Sequence, residues 1–359
     1  MFFSLNNSKK KCFGKLRIYG SKSESNRLLI LQTLFPGIEI KNISDSEDTK
    51  ILFNALSSES NKIDVNHAGT AMRFLTALFS SIPGRSIILT GSNRMQQRPI
   101  KILVDALNSL GANINYVNKN GFPPIKIIGR ELRDRKVFLE ADVSSQYISA
   151  LMLIAPSLKN GLEINLKKKI VSKPYVEMTK DLLNYFGVKV LQTKGKIKIK
   201  PLATIENKIR QVESDWSSAS YYFSIVSLSE EAKISLKSFK PKSLQGDSIL
   251  VSIYKKLGVE TAFIKDEMII SKVQDFVLPK SISLNLNNSP DIFAINPLIS
   301  KLECTPKEIQ LKTVSYWIEF SSAIAFVITK VEPSFSLNVA TGFKELTKTS
   351  IDSLDVIKT

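Results

Sequence analysis

The sequence predicts an α/β protein built from a repeated unit of helices and short strands. Three observations carry this: similar helix starts recur along the chain, a second helix signature recurs in register with them, and alternating strand-like runs lie between.

The helix starts come first. Small hydroxyl or glycine residues precede an amphipathic apolar run in GSKSESNRLLILQTL, HAGTAMRFLTALFS, DVSSQYISALMLIA and SDWSSASYYFSIVSL, and more weakly in SPDIFAINPLIS and EFSSAIAFVIT. With Ser21, Gly69, Ser144, Ser217, Pro290 and Ser321 as markers, the gaps are 48, 75, 73, 73 and 31, so the three middle ones agree. In the second signature, KILVDALNSLGANI, MTKDLLNYFGVKV and ILVSIYKKLGVET each end in a glycine followed by a small or β-branched residue; Gly111, Gly187 and Gly258 lie 76 and 71 apart. Ile100, Leu103, Val104, Leu107 and Leu110 trace one buried helix face, and Gly111 suits the left-handed position that ends a helix. KVFLEA, KIKIKP and EMIISK alternate as half-buried strands do. Each unit therefore reads as helix, strands, helix, strands. The strands are short and no G-x-G-x-x-G turn opens a helix, which argues against a doubly wound nucleotide-binding sheet.

At 359 residues, 43% hydrophobic and 23% charged, the chain is long enough for two cores. Cys12 and Cys304 stand far apart with no partner at metal-ligand spacing, so neither a disulfide framework nor a zinc site is indicated, and a reducing compartment fits. The apolar run that opens MFFSLNNSKKKCFGK is too short for a secretion signal, and no stretch has the length to span a bilayer. The expectation is a cytoplasmic protein with no membrane partner. A net charge of +17 admits nucleic acid, an anionic membrane surface or small anionic substrates. The lysines are scattered, as in KKKIVSK and KGKIKIKP, with no interleaved aromatics, which favours solvated surface over a nucleic-acid partner.

A helix N-terminus carries unpaired N–H groups and the positive end of the macrodipole, so a set of them suits phosphates and carboxylates. Taken singly, Ser21, Ser144 and Ser217 are also what a helix cap requires. The residues around them point further. GSKSESNR gathers Lys22, Ser23 and Arg27 at one helix start, and NRMQQRP sets Arg94 and Arg98 at another, with Pro99 suited to its first turn. Guanidinium forks match carboxylate and phosphate oxygens, whereas an arginine at a helix N-terminus opposes the dipole and gains nothing structurally there.

Over about residues 13 to 300 these motifs resemble the EPSP synthase family. GSKSESNRLLIL, NHAGTAMRFLTA, LTGSNRMQQRPIKILVDALNSLGA, DVSSQYISALMLIAP, SKPYVEMTKDLLNYFGV, SDWSSASYYF and QGD follow in the family's order. The resemblance implies a two-domain inside-out α/β barrel of βαβαββ-type repeats with the last repeat truncated. It implies a domain over 21–213 that mainly binds phosphoshikimate, and a discontinuous domain of 1–20 and 214–359 that completes the cleft. It also implies transfer of the enolpyruvyl group of phosphoenolpyruvate to the 5-hydroxyl of shikimate 3-phosphate with release of phosphate, by a monomer that needs no cofactor and no metal.

Carried over by the resemblance, Lys22 meets both substrates and is catalytic, while Ser23 and Arg27 hold shikimate 3-phosphate. Gly69 and Arg98 bind phosphoenolpyruvate. Ser144, Ser145 and Ser172 hold the 3-phosphate, Gln146 lies between the substrates, and Tyr175 lines the shikimate ring. Asp291 matches the acid/base aspartate, in a reaction that protonates the methylene carbon, deprotonates the attacking hydroxyl and then eliminates phosphate from a tetrahedral adduct. His67 replaces an asparagine common in the family motif and reads as a cleft-wall or packing residue. UDP-N-acetylglucosamine enolpyruvyl transferase, of the same fold, is the competing enzyme, but it usually carries a reactive cysteine in the loop that here reads SNRMQQRP.

The likeness weakens after Asp291. PKEIQLK keeps only Lys307 and Glu308 of K-E-[ST]-D-R, and Phe320 and Ser321 stand where His and Arg of D-H-R-M-A-M would fall. TKTSIDSL resembles the family's terminal segment and makes Lys348 the counterpart of a phosphoenolpyruvate-binding lysine. A catalytically impaired homologue that only binds phosphoshikimate is therefore the alternative reading.

Overall fold

The computed structural model describes residues 11–277 except 141–143, 169 and 171. Asp291, Lys307, Lys348 and the markers Pro290 and Ser321 lie outside the described residues, as does Cys304.

The repeat read from the sequence is visible as three sheets with one strand order. In the first, β3 (Lys62–Asp64) runs parallel to β4 (Ser86–Thr90), which pairs antiparallel with β6 (Ile125–Ile128) and, through it, β5 (Asn113–Tyr116). The second repeats the pattern with β7 (Lys136–Glu140), β8 (Leu162–Lys167), β10 (Lys196–Ile199) and β9 (Val190–Thr193). The third uses β1 (Lys11–Arg17), β12 (Glu231–Lys237), β14 (Glu267–Lys272) and β13 (Val259–Ile264). A two-stranded sheet pairs β2 (Ile38–Lys41) in parallel with β11 (Lys208–Gln211).

Parallel neighbours require a crossover. Helix α3 (Gly69–Ser81) links β3 to β4 and α5 (Ser145–Ile154) links β7 to β8; α4 (Lys101–Ser109) and α6 (Lys173–Tyr185) precede the two hairpins. In the third sheet α7 (Trp216–Leu228) leads into β12 and α8 (Leu250–Lys255) precedes the hairpin, whereas β1 comes from the other end of the described chain. Gly111, Gly187 and Gly258 all take positive φ just beyond α4, α6 and α8, as helix-ending residues without a Cβ do.

Helix α1 (Lys22–Leu34) follows β1, and α2 (Glu47–Ser57) follows β2. Helices α1, α3 and α5 are buried over most of their length and pack on one another, with the sheets outside them. A helix buried on several sides needs apolar residues on more than one face, as Leu28–Leu31, Phe74–Phe79 and Ile148–Ile154 largely supply, and the alternating strands turn one face to these helices and the other to water. Lys126, Lys136, Lys196 and Lys198 lie on that outer face, so much of the basic charge is solvated sheet surface.

Among the described residues two hydrophobic cores result. The larger runs from Leu28 to Val212; the smaller joins Cys12 and Ile18 to residues between Trp216 and Ile270, with Trp216 edge-on to Phe239 at 5.1 Å. Among the described residues the chain passes between them at 19–21 and at 213–215, and the two segments lie side by side. Gly20 and Ser214 form an antiparallel bridge, Ser21 N–H donates to the Glu213 carbonyl (2.8 Å) and Asp215 N–H to the Tyr19 carbonyl (3.0 Å). Glu213, 3% exposed, accepts from Trp216 Nε1 (2.9 Å), Lys240 N (3.0 Å) and Ser243 Oγ (2.6 Å).

Candidate functional site

The helix starts predicted to bind anions gather at one end of the buried bundle. Three hydrogen-bonded links show this. Gln146, in the first turn of α5, donates from Nε2 to Thr70 Oγ1 in the first turn of α3 (3.3 Å). Arg27 on α1 donates from Nη2 to Ser149 Oγ on α5 (3.2 Å) and to the Tyr175 carbonyl in the first turn of α6 (3.3 Å). It also donates from Nε to Thr179 Oγ1 on α6 (2.8 Å). The N-terminal turns of α1, α3, α5 and α6 are thus neighbours, and their orphan N–H groups share one region.

Each start is set by local chemistry. Ser21 caps α1, accepting from Glu24 N at 3.5 Å, which leaves Lys22 as the first helical residue with an exposed side chain whose Nζ lies 3.6 Å from Asp48 Oδ2. Ser144 caps α5 by accepting from Gln146 N (3.2 Å), with Ser145 next and largely buried. Ser172 precedes α6 in left-handed backbone (φ 54°, ψ 48°), and its hydroxyl makes no cap bond; Pro174 occupies the first turn. A serine at positive φ is strained, and strain of this kind collects at functional positions.

Gly69 opens α3, and the Arg98 guanidinium lies directly against it: a Cβ there would fall 2.5 Å from Nη1 and 2.9 Å from Nη2. Arg73, one turn into α3 and 5% exposed, donates from Nη1 to the Gly69 carbonyl (3.0 Å). Burial first, and then the neighbouring charge of Arg98, push Arg73 below the ordinary arginine value. Among the described residues no carboxylate pairs with Arg73 or Arg98, so this corner carries uncompensated positive charge suited to an anion.

Arg27 is 2% exposed, and its donors serve Ser23 O (2.7 Å), Thr179, Ser149 and Tyr175, leaving one Nη1–H without a protein partner among the described residues. Desolvation lowers its pKa to about 10. Two expectations are corrected. Arg98 and Pro99 do not open a helix: a short 3-10 turn at Met95–Gln97 precedes them and α4 begins at Lys101 after Ile100. The Pro99 carbonyl instead accepts from Tyr147 Oη (2.7 Å) and sits 3.5 Å from Arg73 Nη2. Nor does Ser217 cap α7. Asp215 does, accepting from Ser218 N (2.7 Å), while Ser217 Oγ donates to Asp247 Oδ2 (2.6 Å). His67, read as a packing or wall residue, is exposed, and its Nδ1 lies 2.7 Å from Ser92 Oγ.

Sequence reasoning passed over Thr70, Arg73, Asp48 and Asp215. Asp215 was the most visible, standing immediately before an apolar helix where an acidic cap belongs. Among the described residues no group of three or more His, Cys, Asp or Glu side chains is placed to hold a metal ion, and no helix is long and apolar enough to cross a membrane.

Comparison with known proteins gives a consistent picture. The family model for EPSP synthase (3-phosphoshikimate 1-carboxyvinyltransferase) matches residues 52–309. The 3-phosphoshikimate 1-carboxyvinyltransferase of Bacteroides fragilis strain YCH46 is 46% identical over 249 residues, 69% of this chain and 60% of that protein. The enzyme of the same name from Buchnera aphidicola subsp. Cinara cedri is 35% identical over 342 residues, 85% of this chain and 75% of that one. The match thus spans less than two thirds of the Bacteroides relative's length. Among solved structures, EPSP synthase from Acinetobacter baumannii superposes with a TM-score of 0.64 over 81% of this chain and 72% of that chain; at 20% identity it speaks for the fold.

Proposed function

The chain belongs to the EPSP synthase family, and from that premise we propose that it transfers the enolpyruvyl group of phosphoenolpyruvate to the 5-hydroxyl of shikimate 3-phosphate, releasing phosphate. The observation that carries this reading is the convergence of four helix starts, with Arg98 against Gly69 on one side and the serines of α5 and α6 on the other. Two anion sites side by side are what a reaction between two phosphorylated substrates requires.

In this reading Ser144, Ser145 and Ser172 hold the 3-phosphate, with Ser23 and Tyr175 against the rest of shikimate 3-phosphate. Arg27 braces the three helices beneath the ligand and offers it the one Nη1–H that the protein leaves over. Gly69, Arg98 and the buried charge of Arg73 receive phosphoenolpyruvate. Gln146, reaching from α5 to α3, lies between the two, and Lys22 meets both. Asp291 serves as the acid/base group and Lys348 joins the phosphoenolpyruvate site. The domain division at 21–213 is supported by the separation of the cores and by the paired crossover. A monomer in the cytoplasm is the working state.

Phosphate release from phosphoenolpyruvate tests the proposal. Release only when shikimate 3-phosphate is present is the expected result. No release, with shikimate 3-phosphate still bound, would leave a binding homologue, and no binding of either would reject the reading.

A further inference from the structure

The two crossing segments hold a contact whose reach exceeds what a helix cap needs. Capping α7 requires one oxygen of Asp215, and Oδ1 supplies it by accepting from Ser218 N at 2.7 Å. The other oxygen, Oδ2, faces the other core and accepts from Lys22 N, the first N–H of α1, at 3.3 Å. One carboxylate therefore serves an orphan donor on each of two helices that belong to different cores. Its own backbone is tied to the same segment, since Asp215 N donates to the Tyr19 carbonyl (3.0 Å) and Ser214 Oγ to the Ile18 carbonyl (2.7 Å).

We propose that Asp215 is a positioning residue for the reaction, holding the backbone of Lys22 at the start of α1 and fixing that start relative to α7 of the other core. The inference rests on the reading of Lys22 as the residue that meets both substrates. The Lys22 side chain is directed from its other end by Asp48, 3.6 Å from Nζ, so the residue is held at backbone and head by two different elements. The neighbouring network keeps the geometry rigid. Glu24 Oε1 accepts from Arg210 Nε (2.9 Å) and Nη2 (2.7 Å) while Oε2 accepts from Glu213 N (3.2 Å), so α1 is moored to the crossover on its buried side as well.

Asparagine at this position isolates the effect. It keeps one acceptor, enough for the shorter bond to Ser218, and turns an amide N–H2 towards the Lys22 N–H, where two donors meet. Asp215→Asn should thus spare the cap of α7 and release Lys22. Two readouts separate the outcomes. Amide hydrogen exchange in the ligand-free protein should show faster exchange at Lys22, with exchange within α7 unchanged; no change at Lys22 would overturn the contact itself. Calorimetry with shikimate 3-phosphate should show Asp215→Asn weakening binding about five- to tenfold when Lys22 is present and less than about twofold in a Lys22→Met background, because residues acting through one another are not additive. Equal weakening in both backgrounds, or none in either, would overturn the positioning role. Failure of the unmodified protein to bind shikimate 3-phosphate would reject the functional reading itself and this inference with it, whereas the exchange result stands on the fold alone.

Discussion

Gly69 has no room for a side chain, and what it would strike is the flexible end of Arg98. Gly69→Ala should therefore leave the melting temperature nearly unchanged while displacing the guanidinium. Loss of one charge-assisted contact, about 1.5 to 3 kcal/mol, would raise the KM for phosphoenolpyruvate about tenfold or more; an unchanged KM would remove Arg98 from the site. Arg27 behaves in the opposite way. Truncation to alanine empties a buried position and takes one hydrogen bond each from Thr179, Ser149 and two carbonyls, so Arg27→Ala should lower the unfolding free energy by about 3 kcal/mol in urea titrations and weaken binding of shikimate 3-phosphate. A variant as stable as the parent would show that the guanidinium is no brace. This difference explains which residues could be read from the sequence. Lys22, Gly69 and Ser144 sit within a turn of a helix start, where neighbours in sequence decide the geometry. The surroundings of Arg27 come from α5 and α6, and nothing near residue 27 announces them.

At the scale of elements, helix ends were legible where one residue type does one job, as with Gly111 and Gly187 at positive φ. They were misread where several candidates stand together. In SDWSSAS an aspartate stands among four serines, and the carboxylate takes the cap of α7 while its second oxygen reaches Lys22. The crossover carries a second carboxylate with a measurable consequence. Desolvation holds Glu213 above the ordinary 4.5, so the folded protein binds that proton more tightly than the unfolded chain does. Above the raised value the fold carries the cost of the buried charge. As the pH falls through that value towards 4.5, the contribution of this group to stability rises, and below 4.5 it is constant. Glu213→Gln lacks the titration, so the parent should gain stability relative to the variant as the pH is lowered from neutrality towards 4.5. Urea midpoints across that range check it, and a constant difference would contradict the assignment.

At the scale of the whole molecule, the recurring gaps in the sequence correspond to sheets with one strand order, because each βαβαββ unit buries its helices against the next. The pairing of β1 with β12 and of β2 with β11 was not legible, since each joins strands from distant parts of the chain to close a unit. The charge of +17 is resolved at the same scale. Among the described residues lysines are spread over the outer faces of several sheets, so binding to duplex DNA should be weaker than about micromolar at physiological salt and fall steeply as salt is raised. Tighter, sequence-independent binding in a fluorescence titration would revive that reading. On the proposed function, the helix starts of the larger core form a built site for a phosphorylated shikimate. Calorimetry on the unmodified protein, titrated in parallel with shikimate 3-phosphate and with inorganic phosphate, tests it most directly. Shikimate 3-phosphate should bind at least about a hundredfold more tightly, since ring and carboxylate contacts add to those of the phosphate, and equal affinity for the two ligands would overturn this site.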